Sequence, residues 1–483
     1  MAIMDFFKRF SKPKARRLPI GRSRSFAGAD TGRLFAGWSG SPVHINETIA
    51  NDLTKLRARA RDQYINNDFV RRFVEMSKYN VAGPNGVAMQ GAVTRNGNLD
   101  EFANTAIEKA WAEWGRAENS DINGACNWRQ RQHQAIVSEA VDGELLVVMY
   151  TGSQYGKFGF QFQHVDPELL EVSYNVTLGG GRKIKMGIEY DAGGRVVAYH
   201  IRSSAAYGSP GPNGSSYRRL PAENVIHLFD PQQVGQSRGY PRVSTSLASL
   251  KQLDAYFEAA ITAARAGASK MGFIHTQDGA EYSGDDTESG GSVLSDFEAG
   301  TIEQLPIGTD FTAFDPRYPH EQFAEFVKSM LQSISSSLGV SYSALSGDLE
   351  GVNYSSIRAG VLEEREVWKA RQQWFIDGYC RPIFERWLRA ALLMNAITLN
   401  GTPLAGDFDA YNHVVFQGRR WAWVDPLKDM NASIIGINNN ITTVSAVIRE
   451  QGRDPEEVFQ ERSKEKKRLA ALGLTEKEVI SGV

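Results

Sequence analysis

No lysine or arginine occurs between Lys270 and Arg317, yet the same stretch carries ten acids: Asp278, Glu281, Asp285, Asp286, Glu288, Asp296, Glu298, Glu303, Asp310 and Asp315. At the chain's own frequency of 54 basic residues in 483, about five are expected over that length. Helical patterns flank the gap on both sides, so the chain is constrained to fold as a block inserted between two rods. Outside the block, 54 bases face 46 acids, a net of +8. Charge sorted in this way offers one surface to a polyanion and another to different partners.

With 483 residues, 42% of them hydrophobic and 23% charged, the chain can bury a large core divided among two or more domains. Two cysteines, Cys126 and Cys380, cannot form a disulfide framework, which points to a reducing compartment. No apolar run reaches eighteen residues, so no membrane span is expected. Met1–Phe7 is too short and too polar for a secretory signal. Lys8, Arg9, Lys12, Lys14, Arg16, Arg17, Arg22 and Arg24 form a basic arm with no acid between Asp5 and Asp30. The arm reads first as a solvated tail and second as a nucleic-acid or scaffold contact.

From Asn46 the pattern is helical, with Leu53, Leu56, Ala60 and Tyr64 on one face and Arg57, Arg59 and Arg61 placed away from it. Asn66, Asn67 and Asp68 break and recap the chain. A second helix carries Phe69, Phe73 and Met76 and stops before Gly83 and Pro84. A third runs from Leu99 to Trp114 with Phe102, Ala106, Ala110, Trp111 and Trp114 inward, and a fourth includes Trp128, Ile136 and Val137. From Glu144 the period becomes two. Residues 145–150, 158–164, 186–190 and 196–201 read as strands, and Asp191–Ala192–Gly193–Gly194 as a hairpin turn.

Ser244 opens an alanine-rich helix with Leu247, Leu250, Leu253, Phe257, Ile261, Ala264 and Ala268 at helical spacing. Its small residues permit close approach on several sides. After the acidic block and Pro319, a second rod carries Phe323, Phe326, Met330, Ile334 and Leu338 and ends at Gly339. Residues 341–354 read as a glycine-bearing loop of low bulk, longer than a compact connection needs. From Ser355 a helical pattern runs to about Asn395, with a kink expected at Pro382 and weak points at Gly360 and Gly378. Asp454–Pro455–Glu456–Glu457 starts a helix, and Thr475 to Glu478 matches a capping box.

Catalytic motifs are scarce. Gly235–Gln236–Ser237–Arg238–Gly239 fits G-x-S-x-G, but a nucleophile elbow needs a strand running straight into a turn and a helix. Here Asp230–Pro231–Gln232–Gln233 intervenes before it and Tyr240–Pro241 follows, so a glycine-flexible connector is the simpler reading. Residues 152–158 lack the spacing and hydroxyl of a phosphate loop. The histidines show no ligand spacing, and residues 278–291 do not match a calcium loop. Neither a cofactor nor a metal is expected, and no enzymatic activity.

Arg57–Ala58–Arg59–Ala60–Arg61–Asp62 with Asn66–Asn67, then Val165–Asp166–Pro167, then residues 235–241 leading into the alanine-rich helix form an ordered set. Asn353–Tyr354–Ser355–Ser356 with Arg358–Ala359–Gly360, Trp423–Val424–Asp425–Pro426–Leu427–Lys428 and Gly452–Arg453–Asp454–Pro455–Glu456–Glu457 extend it. In order and spacing, over roughly residues 50 to 475, the chain resembles the lambda type of tailed-phage portal, or connector, proteins. The resemblance implies an α+β portal fold and a homo-oligomeric ring, typically of twelve subunits, at one capsid vertex. Its parts would be a basic flexible arm (1–45), a mixed wing (46–243), a stem helix (244–270), an acidic clip (271–316) and a second stem helix (317–340). A tunnel loop (341–354), a long kinked wing helix with a following strand (355–425) and a helical C-terminal crown (426–483) complete it.

The same resemblance implies passage and retention of double-stranded DNA without sequence specificity. The partners would be the terminase large subunit, the major capsid and scaffold proteins and the head-completion or neck proteins, with no membrane. Assembly would occur in the host cytoplasm and the final location would be the virion. Ser346, Gly347, Asp348, Asn353, Tyr354 and Ser355, with Arg358 behind them, are the expected DNA-facing residues of the tunnel loop. Asp278, Glu281, Asp285, Asp286, Glu288, Asp296 and Glu298 are the expected electronegative docking rim of the clip. Two other function classes remain: a serine hydrolase built on Ser237, and a cytosolic nucleic-acid-binding protein led by the basic arm without ring formation.

Overall fold

A computed structural model describes residues 42–202, 217–268, 272–276, 309–313, 322–350, 354–404, 406–421 and 426–471, together with residues 33, 37 and 40. Helix α1 (Ile45–Asn66) ends where Asn67 turns extended, and the Asn67 side chain then accepts from the backbone of Phe69 and Val70 to start α2 (Asp68–Val81). The two helices bury Leu53, Ala60, Val70, Phe73 and Val74. Arg57 departs from expectation, because it is buried. It lies four residues after Leu53 and three before Ala60, so helical geometry puts it on the inward face.

Helix α3 (Glu101–Trp114) is capped by Asp100 and α4 (Trp128–Asp142) by a reciprocal pair between Asn127 and Gln130. Ala103, Ile107, Trp111 and Trp114 set the buried face of α3, and Phe102, expected inward, is exposed instead. It stands in the first turn of the helix, one turn before the fully buried Ala106. Trp111 stacks on Trp114 at 4.6 Å and meets Trp387 edge-on at 4.9 Å, while Trp128 lies parallel to Tyr379 at 5.4 Å. These rings weld α3 and α4 to the later half of the chain.

Two antiparallel sheets follow. In the first, β1 (Glu144–Thr151) lies between β2 (Phe160–Val165) and β8 (Val225–Phe229). The second places β7 (Tyr217–Pro221), β6 (Val196–Arg202), β5 (Ile188–Tyr190), β4 (Lys183–Lys185) and β3 (Val176–Thr177) side by side. A hairpin closes β5 to β6 through Asp191, as the sequence predicts. Leu146, Val148, Ile188, Tyr199, Ile201, Leu220 and Val225 form the core between the sheets.

Helices α5 (Leu247–Ala268) and α6 (Phe323–Leu338) are the two rods. Tyr256 stacks on Phe323 at 5.4 Å and meets Phe326 edge-on at 4.9 Å. Leu247, Leu250 and Leu253 of α5, and Leu331, Ile334 and Leu338 of α6, are buried, whereas Ile261 and Phe326 at the other ends are exposed. Each rod is therefore rooted in the body at one end and projects at the other. Within residues 271–316 the backbone of Gly272–Thr276 (β9) pairs antiparallel with Thr309–Ala313 (β10), and the segment between them lies outside the described residues.

The long helix is split into α8 (Tyr354–Phe375) and α9 (Arg381–Leu393), preceded by a helical turn α7 (Tyr342–Ser346). A π-helical turn at Ile376–Cys380 joins α8 to α9, so the break comes ahead of Pro382, which sits in the first turn of α9 where its missing N–H leaves no gap. Helices α10 (Pro426–Asn438), α11 (Val444–Glu450) and α12 (Pro455–Ala471) end the described chain. The capping box at Thr475 lies outside the described residues.

Candidate functional site

Residues 341–350 are more ordered than an open loop. Ser341 caps α7: its Oγ accepts from the Ala344 N–H and donates to Glu364 Oε2 at 2.8 Å. Gly347 ends the turn in the left-handed region, at a φ of 78°. Ser346 Oγ donates to the Tyr342 carbonyl at 2.8 Å and accepts from the Asp348 N–H at 3.1 Å. The Tyr342 hydroxyl donates to Asp348 Oδ2 at 2.9 Å, and Asp348 Oδ1 accepts from the Glu350 N–H at 2.8 Å. The Glu350 N–H first, then the Tyr342 hydroxyl, hold the Asp348 carboxyl below its ordinary range.

Neighbouring elements clamp this turn. Arg72 of α2 donates from Nε to the Ala344 carbonyl at 2.6 Å, Leu345 is fully buried, and Lys328 of α6 lies 5.7 Å above the Tyr342 ring. Leu349, next along, is exposed. Of the expected DNA-facing residues, Ser346, Gly347 and Asp348 thus form one hydrogen-bonded unit. Asn353 lies outside the described residues, and Tyr354 and Ser355 begin α8. Arg358 is engaged elsewhere, its Nη2 3.2 Å from Asp429 at the start of α10.

The sequence carries a second base-free stretch: residues 329–357 contain no lysine or arginine, and only Asp348 and Glu350 among them are charged. The base-free stretch at 271–316 and this one bracket Arg317 and Lys328. The rim acids Asp278, Glu281, Asp285, Asp286, Glu288, Asp296 and Glu298 lie outside the described residues.

The G-x-S-x-G segment has a different role from the one its pattern proposes. Ser237 Oγ accepts from Asn46 Nδ2 at 3.1 Å and its N–H donates to Asn46 Oδ1 at 2.9 Å. No helix follows it directly, since α5 starts at Leu247. The adjacent Arg238 is fully buried. Its Nη2 lies 2.6 Å from Glu144 Oε1, its Nη1 donates to the Met186 carbonyl at 2.7 Å, and the Gly239 N–H donates to Glu144 Oε2 at 2.8 Å. Arg57 reaches the same carboxylate at 2.5 Å and His227 Nε2 at 2.9 Å.

Burial alone would raise the Glu144 carboxyl, but the Arg238 and Arg57 guanidiniums outweigh it and hold it well below the ordinary range. The Pro167 carbonyl accepts from both arginines, and Arg61 pairs with Asp142 at 2.6 Å and Asp166 at 2.8 Å. Three segments far apart in sequence, around residues 57–61, 166–167 and 237–239, therefore meet at Glu144. They form a structural knot. Gly143 and Gly239 make it possible, because a Cβ on either would run into the backbone of the other strand of the crossing.

The rods join the body through a polar cleft of about 340 Å³ at the C-terminal end of α6. Arg371 spans it, 2.7 Å from Glu139 and 2.6 Å from Asp230. Arg242, on its wall, lies 4.9 Å from the Phe73 ring.

A sequence profile of the family described as phage portal protein, lambda family, matches residues 31–372. A probable portal protein of Halomonas phage phiHAP-1 is 31% identical over 466 residues, covering 94% of this chain and 88% of its own. Portal protein B of Escherichia phage lambda is 22% identical, over 92% and 90% of the two chains. Among solved structures, a chain from the neck of an empty GTA particle computed with C6 symmetry aligns over 87% of this chain and 98% of its own, with 13% identity and a TM-score of 0.45.

Proposed function

The chain belongs to the lambda family of phage portal proteins, and we propose on that premise that twelve copies close into a ring at one vertex of the capsid. The ring passes double-stranded DNA inward during packaging, retains it, and releases it at ejection. Residues 46–243 form the wing and residues 355–425 its long helix and strand. The rods at 244–270 and 317–340 line the channel, 271–316 is the clip between them, 341–354 the tunnel loop and 426–483 the crown.

One observation carries the reading. Two amphipathic rods rooted in one body project side by side, and the segments at their far end and at their root carry acids and no bases. A conduit has to confine DNA without gripping it, and each phosphate neutralised by a lysine or arginine releases counterions and deepens the well that the moving strand must leave. Absence of bases keeps the wells shallow. The exposed Ile261 and Phe326 supply apolar surface for neighbouring rods once copies stand side by side.

The clip acids offer a rim to the terminase large subunit during packaging and later to head-completion or neck proteins. The wing meets the major capsid and scaffold proteins, assembly takes place in the host cytoplasm, and the chain acts without catalysis. The Ser237 hydrogen bonds to Asn46 and the missing elbow geometry weigh against the hydrolase reading.

Heads assembled without this chain should contain no nuclease-protected DNA, and supplying it should restore protection. DNA-filled heads in its absence would overturn the proposal. Deleting residues 347–351 should leave rings intact and lower the DNA retained, while normally filled heads would remove the loop from the mechanism. Asp285→Asn, Asp286→Asn and Glu288→Gln together should weaken packaging or partner docking; if both are unchanged, the clip has no electrostatic role.

A further inference from the structure

Helix α10 is apolar on the side turned away from its own chain. Its inward side is marked by the buried Gly436, which faces Thr442, and by Asp429, paired with Arg358. At about 100° per residue, Leu427, Met430, Ile434 and Ile435 fall within one arc opposite to these, which they share with the exposed Asn431 and Asn438. Leu427 is 74% and Ile435 60% exposed, and Met430 and Ile434 are exposed as well. Beyond the helix end the series continues with Ile441, 81% exposed, and Val444.

Spacing and charge both indicate what covers this face. Within the helix, positions 427, 430, 434 and 437 alternate three and four apart, the spacing by which one helix packs along another, and Ile441 follows in the turn after its end. From Met430 to Ile448 there is no charged residue, where the chain's 23% charged composition leads one to expect about four. A face of this composition matches the charge-depleted core of a protein interface. It can pack against the same segment of another copy with no like-charge repulsion, and it offers no charge to a nucleic acid or a charged partner.

We propose that the face formed by Leu427, Met430, Ile434, Ile435 and Ile441 is covered by residues 426–448 of a neighbouring copy of this chain. The assignment rests on the ring reading above. In a cyclic ring the contact is heterologous, so a given residue meets a different residue of the next copy. The apolar arc is therefore broad, with Ile435 widening it beyond a single seam.

The test uses full-length rings carrying Ile434→p-benzoylphenylalanine, with ring formation scored separately by negative-stain microscopy. Irradiation should give adducts between chains, mapped by mass spectrometry to residues 426–448 of another copy, and truncation after Ala471 should not abolish them. Rings that give no adduct, or only a product within one chain at residues 472–483, would overturn the proposal and leave the ring reading standing. Absence of rings would overturn both. A second variant, Ile434→Asp with Ile435→Asp, should lower the temperature at which rings dissociate; an unchanged temperature counts against the contact.

Discussion

At the scale of residues, Glu144 decides the most. It is wholly buried, takes two arginines, His227 and the Gly239 N–H, and ties together three distant segments. Removing one partner of such a cluster leaves uncompensated buried charge, so Glu144→Gln should cost about 3–5 kcal/mol in urea unfolding at fixed protein concentration. Because its folded-state carboxyl is held down, this stabilisation is complete above the ordinary glutamate range and fades as pH falls below it. His164 governs the milder range. Burial lowers it from 6.5 to about 3, so the unfolded chain binds the extra proton between those values and stability falls as pH drops through that window. The slope from this one group is at most about 1.4 kcal/mol per pH unit, and His164→Gln should flatten the decline between pH 6.5 and 5. A slope unchanged by the substitution would show that other groups cause it. Arg57 and Arg238 were visible in the sequence as letters but not as buried charges. Arg57 looked like one of three solvated arginines, and Arg238 was hidden beside a serine whose pattern drew attention. Ser237→Ala should leave ring yield unchanged, whereas Gly239→Ala should abolish soluble protein by colliding with Gly143.

At the scale of elements, helix boundaries were legible because caps are local chemistry. Asn67, Asp100, Asn127 and Gly339 each start or stop a helix through hydrogen bonds or a backbone angle set by that residue itself. The turn at 342–346 carried the same signals, Ser341 before it and Gly347 after it, yet its small polar residues read as an open loop. What holds it comes from far away in sequence, from Arg72 and Glu364. The π-turn at 376–380 was not legible as such. It is set by Tyr379, held parallel to Trp128 and 2.8 Å from His164, and by Gly378, where an added Cβ would lie 2.9 Å from Leu228 Cδ1. Gly378→Ala should therefore destabilise by about 1–3 kcal/mol through overpacking, read as a lowered melting temperature. An unchanged melting temperature would mean that the turn relaxes around the extra methyl.

At the scale of the whole molecule, the order of elements and the sorting of charge were legible before any coordinates, because both are properties of the linear chain. The ten acids spread over residues 271–316 specify a potential in the sequence but no packing. These parts fit together only when many copies stand around an axis. Among the described residues, two rods with exposed apolar ends and an exposed apolar face on α10 are surfaces that a single chain leaves open. Negative-stain microscopy of the purified full-length chain tests this most directly. The account predicts rings of uniform diameter with a stain-filled central hole; monomers or small compact oligomers, binding DNA in a salt-sensitive manner that is lost on removing residues 1–30, would contradict it.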